Sequence, residues 1–137
     1  MSSVELMAVD DLRPTEWIKK RRAARLAHTI ESSGIWRCPI CIEAESLFVM
    51  DGHHRLEVAK MLGLLRVPVL RLSYNDIPVI SRKSGFNVTP DQLRERAAKG
   101  LLYPYKTTRH LFPAGLVACQ VPITLLRQPA DTIRQAA

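Results

Sequence analysis

The chain has 137 residues, of which 20 are basic and 13 acidic, so its formal net charge at pH 7 is +7. This length is typical of one domain, and a hydrophobic fraction of 47% with 24% charged residues excludes a disordered or fibrous chain. Apolar runs fall short of the ~18 residues that a membrane span requires, and the N-terminus is acidic where a secretory signal would be basic. We therefore expect a cytoplasmic protein without membrane contacts, and the positive charge favours an anionic partner.

Hydrophobic periodicity in the first third of the chain predicts a strand, a helix and a hairpin. Residues 4–9 alternate weakly between apolar and polar side chains, as in a strand. From about Arg21, apolar residues recur at the i, i+3, i+4 and i+7 spacing of a helix, which Gly34 ends. Two short apolar runs, residues 39–43 and 47–50, flank a small polar turn and predict the hairpin.

A second helix is expected directly after the hairpin, and a strand after that helix. The helix begins after Gly52 and places apolar residues on one face before it ends near Gly63. Residues 67–72 form an apolar run typical of a buried strand, and residues 81–87 are polar and predict a loop.

The last third of the chain predicts one more helix and one more strand. Thr89 is expected to cap a helix that has Pro90 at its first position and stops at Gly100. An irregular segment follows, then a strand over residues 121–126, and the tail from Gln128 is expected to fray. Short strands interleaved with helices, without a repeat or linker, predict one compact α+β domain.

The three cysteines are too few and too odd in number for a disulfide framework. Cys38 and Cys41 form a Cys-x-x-Cys pair, which is compatible with half a zinc site or a redox pair. No second pair follows at zinc-finger spacing, and in a strand the two positions point to opposite faces. The favoured interpretation is two small packed residues.

Much of the positive charge is concentrated in a basic run near the start of the first helix. A run of this kind is usually a solvated helix face, but it is also compatible with nucleic-acid binding. The run consists of Lys19, Lys20, Arg21, Arg22 and Arg25.

The segment Asp51-Gly52-His53-His54-Arg55 lies where the hairpin runs into the second helix, and it predicts an anion site. The free N–H groups of a first helical turn and the positive end of the helix dipole both favour an anion there. Gly52 permits a close approach, while Arg55 and the two histidines add donors for phosphate. Asp51 could bind Mg²⁺ through an oxygen, or it could simply cap the helix.

With this motif in view, the sequence resembles the ParB/sulfiredoxin superfamily. The order of helix, glycine stop, hairpin, Asp-Gly-His-His-Arg motif and Ala59 is similar to that superfamily, and the motif is most similar to the free L-serine kinases, including the siderophore-pathway type. A second segment, Lys106-Thr107-Thr108-Arg109-His110, resembles their substrate-binding stretch. The resemblance implies a single ParB/sulfiredoxin-like nucleotide-binding domain over residues 1–137, with a small mixed sheet flanked by helices.

The resemblance also implies a reaction, in which ATP or ADP with Mg²⁺ phosphorylates the hydroxyl of free L-serine to give O-phospho-L-serine. Glu31, on the flank of the first helix's apolar stripe, matches the catalytic glutamate by its place and would act as base. Asp51 would bind Mg²⁺, and Gly52, His53, His54 and Arg55 would cradle the phosphates. Substrate binding would fall to Thr108, Arg109 and His110, with Arg109 pairing with the carboxylate. 

Two related activities fit the sequence less well. A sulfiredoxin has a catalytic cysteine where this chain has His53. ParB-type partition proteins have their acidic residue after the motif glycine and carry an additional helix-turn-helix domain, for which too few residues follow His110. A non-catalytic nucleotide-binding regulator and a DNA-binding protein remain alternatives to the kinase. The sequence leaves open the choice of donor, the choice between serine and a related hydroxy amino acid, and whether the chain forms a homo-oligomer.

Overall fold

The computed structural model describes residues 3–113 and 116–129, in which eight strands alternate with four α-helices. The strands are β1 (Glu5–Ala8), β2 (Ile35–Trp36), β3 (Ile40–Glu43), β4 (Val49–Asp51), β5 (Arg66–Leu72), β6 (Val79–Ser81), β7 (Thr108–His110) and β8 (Val121–Pro122). The helices are α1 (Lys20–Ser33), α2 (His53–Met61), α3 (Pro90–Lys99) and α4 (Ile123–Leu126), and a 3₁₀ turn spans Val9–Asp11.

The largest sheet has four strands in the order β1-β5-β3-β4. Strand β5 runs antiparallel to β1 and parallel to β3, while β3 and β4 form an antiparallel hairpin. The sheet is therefore small and mixed, which confirms the expected α+β class. Because β4 is an edge strand and ends at Asp51, the Asp51–Arg55 motif begins at the edge of the sheet and continues into α2.

Helices α1 and α2 pack against each other over one hydrophobic core. In α1 the buried residues are Ala23, Ala27 and Ile30, which follow the helical spacing of its apolar stripe. Gly34 ends the helix with φ +71°, and its N–H donates to the carbonyl oxygen of Ile30 at 2.8 Å. These contacts fix α1 alongside the start of α2, so the polar faces of both helices border the same space.

A second hydrophobic cluster surrounds Tyr103 and packs α3 against the other face of the sheet. Thr89 caps α3 as expected, because its Oγ1 accepts the N–H of Gln92 at 3.1 Å. Strands β6 and β7, which precede and follow α3 in the chain, form an antiparallel pair, and the N–H of Arg82 donates to the carbonyl oxygen of Thr107 at 2.7 Å. The segment before β7 is thereby brought back to the N-terminal part of the chain, where the N–H of Trp17 donates to the carbonyl oxygen of Tyr103.

The C-terminal elements differ from the sequence expectation. Only Val121–Pro122 is a strand, and residues 123–126 form α4 instead. The reason is that Ile123 and Leu126, three residues apart, both turn into the main core, which a helical turn allows and a strand does not. The segment expected to be irregular contains β7, and β6 extends into the expected loop only at Ser81. Residues 130–137 of the expected frayed tail lie outside the described residues.

Cys38 is exposed and Cys41 is buried, so only the second cysteine is packed as expected, and both are free thiols. Within residues 3–113 and 116–129, no group of three or more His, Cys, Asp or Glu side chains could hold a metal ion. None of the helices in that part of the chain has the length and apolar character that crossing a membrane requires.

Candidate active site

A polar cavity of about 800 Å³ lies between α1, the start of α2 and the segment before β7. This volume is within the range of small-molecule sites. Among the described lining residues, the only carboxylates are Glu16 and Asp51. The seven cationic lining residues are Lys19, Arg21, Arg22, Arg25, Arg55, Arg82 and Lys106. Since seven positive charges face two negative ones, the cavity wall carries an excess of five positive charges and favours an anionic ligand.

Gly52 forms the turn between β4 and α2 on the cavity wall. Its φ is +112°, a conformation that side chains rarely allow, and a Cβ there would lie 3.2 Å from Cγ1 and Cγ2 of Ile40. No side chain caps the first turn of α2. The free N–H groups of that turn are therefore available to an anion in the cavity, as the motif predicts.

Arg55 is held by protein acceptors. One of its terminal nitrogens donates to the carbonyl oxygens of Cys38 at 2.9 Å and Pro39 at 2.6 Å, and the other to Oδ2 of Asp51 at 3.2 Å. The side chain thus ties the start of β3 to the end of β4. It lines the cavity as expected, but several of its donors are already used within the protein.

The two motif histidines hold a neighbouring loop in place. Nε2 of His53 accepts the N–H of Thr15 at 3.1 Å, and Nε2 of His54 accepts the N–H of Lys19 at 3.1 Å. Burial lowers the pKa of His53 to about 3, with further contributions from His110 and His54. Burial likewise lowers the pKa of His54, and Arg22 adds to this effect. Both rings are therefore neutral at pH 7, and with Nε2 accepting, the proton of each lies on Nδ1.

Asp51 is the more exposed of the two cavity carboxylates, with 56% of its side chain accessible. Its Oδ2 pairs with Arg55, whereas its Oδ1 forms no hydrogen bond with any described residue. An exposed carboxylate oxygen beside a phosphate-sized anion site is the type of ligand that Mg²⁺ takes. The residues present therefore fit a magnesium ion that phosphate oxygens and water also coordinate.

Glu16, which the sequence analysis did not select, occupies the centre of the hydrogen-bonding network opposite the motif. Its Oε1 accepts the N–H groups of Thr107 and Thr108, at 3.1 and 2.9 Å, and the hydroxyl of Thr108 at 3.0 Å. Oε2 accepts the N–H of Lys106 at 3.2 Å. Lys106 has φ +57°, and successive N–H groups beside such a residue form an anion-binding concavity. The carboxylate is half-buried and oriented by four donors.

The structure does not bring Glu31 to the cavity. Glu31 is exposed and is not among the lining residues. It lies nine residues after Arg22, which at 3.6 residues per turn corresponds to a rotation of about 180° around α1. Since Arg22 lines the cavity, Glu31 lies on the opposite face of α1, and the carboxylates of the described lining are Glu16 and Asp51 instead.

The three residues expected to bind substrate are divided by the alternation of β7. Thr108 lines the cavity, whereas Arg109 is exposed and belongs to the other face of the strand. His110 packs beneath the site, where its Nε2 lies 2.6 Å from the hydroxyl of Tyr74 and its ring stacks on Phe112. Burial lowers the pKa of His110 to about 4, although Asp51 opposes this. Of the three, the structure places only Thr108 in the cavity.

Four of the five residues of the basic run line the cavity, and only Lys20 does not. Arg82 and Tyr105 also line it and were not expected from the sequence. Arg82 belongs to no recognisable motif, whereas Tyr105 directly precedes the Lys106–His110 segment. The only sequence feature that could have pointed to Glu16 is its position between the turn at Pro14 and the basic run. The residues that donate hydrogen bonds to it lie 90 or more positions later in the chain.

Comparisons with known proteins place the chain beside the free serine kinases. No family model matches. The chain is 36% identical over 75 residues to an ATP-dependent L-serine kinase from Staphylothermus marinus, a match that covers 52% of the chain and 30% of the relative. It is 34% identical over 53 residues to a ParB-like protein from Sulfolobus acidocaldarius, which covers 39% of the chain and 27% of the relative. The matches thus span less than a third of the length of these curated relatives.

Solved structures agree over a larger part of the chain. A free serine kinase in complex with AMP superposes with a TM-score of 0.79 at 16% identity and covers 90% of this chain and 93% of the other. SbnI with C-terminal truncation, from Staphylococcus aureus, superposes with a TM-score of 0.82 at 16% identity and covers 97% and 93%. The fold implied by the motifs is thereby confirmed, because the chain has the fold of the solved free serine kinase.

Proposed function

We propose that the chain is a kinase that transfers a phosphoryl group from ATP or ADP to the hydroxyl of free L-serine, giving O-phospho-L-serine. The observation that carries this proposal is the meeting, in one cavity, of an open helix start, two carboxylates and seven cations. Phosphoryl transfer depends mainly on positioning and on stabilisation of charge, which these groups can supply. The names of the relative from S. marinus and of the structure with AMP give independent support.

The nucleotide phosphates would bind at the start of α2. The N–H groups of its first turn and the helix dipole act on the phosphate nearest Gly52, and the absence of a Cβ there allows the approach. Asp51 would hold Mg²⁺ through its exposed carboxylate, and bound magnesium would neutralise charge on the phosphates. Arg55 would fix the position of Asp51 and retain positive charge close by.

Glu16 replaces Glu31 as the proposed base. A base must lie within hydrogen-bond reach of the hydroxyl that it deprotonates, and Glu16 is the carboxylate that lines the cavity opposite the motif. The amides of Lys106, Thr107 and Thr108 orient its carboxylate toward a fixed position. The hydroxyl proton of serine would pass to Glu16 as the serine oxygen attacks the terminal phosphorus. The bond from that phosphorus to the bridging oxygen would break, and ADP would leave when ATP is the donor, or AMP when ADP is the donor.

The carboxylate of the amino acid requires a cation within the cavity. Arg82 lines the cavity and is exposed, so it takes the place that the sequence analysis assigned to Arg109. Thr108 remains a proposed substrate contact through its hydroxyl, which already bonds to Glu16. His110 does not line the cavity, and its Nε2 is engaged by the hydroxyl of Tyr74, so its effect on the site would be indirect.

The shape of the charged surface separates this proposal from nucleic-acid binding. Four of the five residues of the basic run line a cavity of about 800 Å³. A cavity of this size accommodates a small anion, whereas a duplex contacts an extended basic surface. We therefore favour a nucleotide over DNA as the anionic partner.

The proposal is tested by incubating the protein with Mg²⁺, L-serine and either ATP or ADP, and by measuring O-phosphoserine by mass spectrometry. L-threonine, L-homoserine and D-serine serve as alternative acceptors, and reactions without protein or without acceptor as controls. We expect phosphoserine with L-serine and little product with D-serine. If nucleotide binds but none of the acceptors is phosphorylated, the chain is a nucleotide-binding protein and the kinase proposal is wrong.

A further inference from the structure

Tyr105 lies at the centre of a group of cationic side chains on the cavity wall, which we call the Tyr105 cluster. Its hydroxyl accepts a hydrogen bond from Arg22 at 3.0 Å. The ammonium groups of Lys19 and Lys106 lie 5.0 and 5.5 Å from the centre of its ring, within the range of cation–π contacts. The cluster consists of Tyr105, Lys19, Arg22 and Lys106, and all four residues line the cavity.

The cluster draws together parts of the chain that are distant in sequence. Lys19 and Arg22 belong to the start of α1, whereas Tyr105 and Lys106 precede β7. His54 joins them to the phosphate motif, since its ring contacts Tyr105 edge-on at 5.7 Å and its Nε2 accepts the N–H of Lys19. Lys106 also donates its own N–H to Glu16. The cluster therefore lies between the motif and the proposed base.

Three like charges gathered around one ring repel each other, and no carboxylate in the described part of the chain forms an ion pair with them. The lining residues Arg21, Arg25 and Arg82 likewise have side chains without a hydrogen bond or ion pair to any described residue. Arg55, by contrast, is engaged by two carbonyls and Asp51. The uncommitted positive charge thus lies beyond His54, between the motif and Glu16, and an anionic ligand would relieve the repulsion.

A single phosphate bound at the start of α2 would leave the Tyr105 cluster without an anionic partner. A longer polyphosphate chain can reach it, and each added phosphoryl group brings further negative charge. We propose that the Tyr105 cluster binds the terminal phosphate of a nucleoside triphosphate, and that it makes ATP rather than ADP the preferred donor. This inference rests on the proposed function, because it assumes that the phosphates of a nucleotide occupy the cavity.

In this arrangement Tyr105 is a positioning residue. Its hydroxyl holds Arg22, and its ring holds the two lysines near one point, so that all three cations can face the terminal phosphate. The hydrogen bond from Arg22 lowers the pKa of Tyr105, and the neighbouring lysines act in the same direction. The phosphate so held would lie close to Glu16, which the transfer to a hydroxyl requires.

The inference is tested by isothermal titration calorimetry with AMP, ADP and ATP, each with Mg²⁺ at one ionic strength, on the wild type and three variants. The wild type is expected to bind ATP about 10-fold or more tightly than ADP. Arg22→Gln should weaken the binding of ATP by about 10- to 100-fold, which is the range for losing a charge-assisted hydrogen bond. It should change the affinity for AMP far less. Tyr105→Phe keeps the ring and loses the hydroxyl, and it should weaken the binding of ATP by about 2- to 10-fold.

Lys20→Gln is the matched control, because Lys20 belongs to the same basic run but does not line the cavity. It removes the same charge as Arg22→Gln, and should change ATP affinity by less than about fivefold. The inference is overturned if wild-type protein binds ADP and ATP equally, or if Arg22→Gln weakens all three nucleotides by one factor. Absence of binding to every adenine nucleotide would instead refute the proposed function, and the inference with it.

Discussion

Replacing Glu16 with Gln tests the assignment of the base. The change removes the negative charge, while an amide oxygen in the place of Oε1 can still accept the N–H groups of Thr107 and Thr108. The NH2 group in the place of Oε2 loses only the hydrogen bond from the N–H of Lys106. The position and shape of the side chain are therefore conserved, and the capacity to take a proton is lost. Loss of a general base lowers turnover by roughly 10²- to 10⁴-fold, which is about 2.7 to 5.5 kcal/mol in activation free energy.

Nucleotide affinity should not fall with turnover in this variant. Glu16→Gln takes one of two negative charges out of a cavity that has seven positive ones, so binding of ADP or ATP should be equal or tighter. The assay is phosphoserine formation at saturating L-serine, with calorimetric titration of the nucleotide on the same preparation and circular dichroism to establish folding. A parallel loss of binding and turnover would indicate that Glu16 acts in positioning the nucleotide.

Glu31→Gln provides the matched comparison, since it makes the same chemical change on the face of α1 that points away from the cavity. We expect its turnover to be within about twofold of wild type, as for surface substitutions in general. The reasoning is refuted if Glu31→Gln abolishes turnover while Glu16→Gln leaves it intact. That outcome would restore the base that the sequence resemblance implied.

Three further predictions concern the motif and the residues beneath it. Gly52→Ala should lower the free energy of unfolding, measured by urea denaturation, by about 2–4 kcal/mol, because the added Cβ makes a close contact in a backbone that is already strained. Gly63→Ala is the control, since Gly63 has φ +67° but open space around it, and should lower the free energy of unfolding by only about 1–2 kcal/mol. Equal losses in the two variants would contradict this prediction. Because the pKa values of His53 and His110 fall from 6.5 to about 3 and about 4 on folding, their contribution to stability is complete above pH 6.5 and declines as the pH falls toward those values. His53→Asn should therefore reduce the dependence of unfolding free energy on pH by about 1.4 kcal/mol per pH unit between pH 6 and 4, and an unchanged slope would argue against a buried neutral ring. Asp51→Asn should raise the Mg²⁺ concentration needed for half-maximal turnover, whereas an unaltered Mg²⁺ requirement would remove Asp51 as a metal ligand.

Local patterns were sufficient to predict most of the elements. The apolar spacing in α1, its stop at Gly34 and the cap of α3 by Thr89 are each decided within a few residues, and the structure agrees with them. The C-terminal segment is different. Its apolar pattern predicts a strand that includes Ile123 and Leu126, and only their packing in the main core shows that they belong to a helical turn. Helix and strand cannot be told apart by periodicity in such a short apolar run.

The site could be predicted only where one segment carries it. The turn at Gly52 and the anion site after it follow from adjacent residues, whereas the cavity's second carboxylate does not. Glu16 is oriented by amides more than 90 residues later in the chain, and no local pattern reveals that contact. The exposure of Arg109 could not be predicted either, because the segment after Gly100 was expected to be irregular. The alternation that turns Arg109 away from Thr108 follows only from the presence of β7.

The central claim is that a single cavity holds both the phosphate donor and the amino-acid acceptor. It is tested most directly by amide chemical-shift mapping, with a non-hydrolysable ATP analogue and L-serine added in turn to isotopically labelled protein. We predict that the analogue shifts the amides of residues 52–55 and that serine then shifts those of residues 106–108. Serine shifts confined to another part of the surface, or an analogue that leaves residues 52–55 unchanged, would contradict the account.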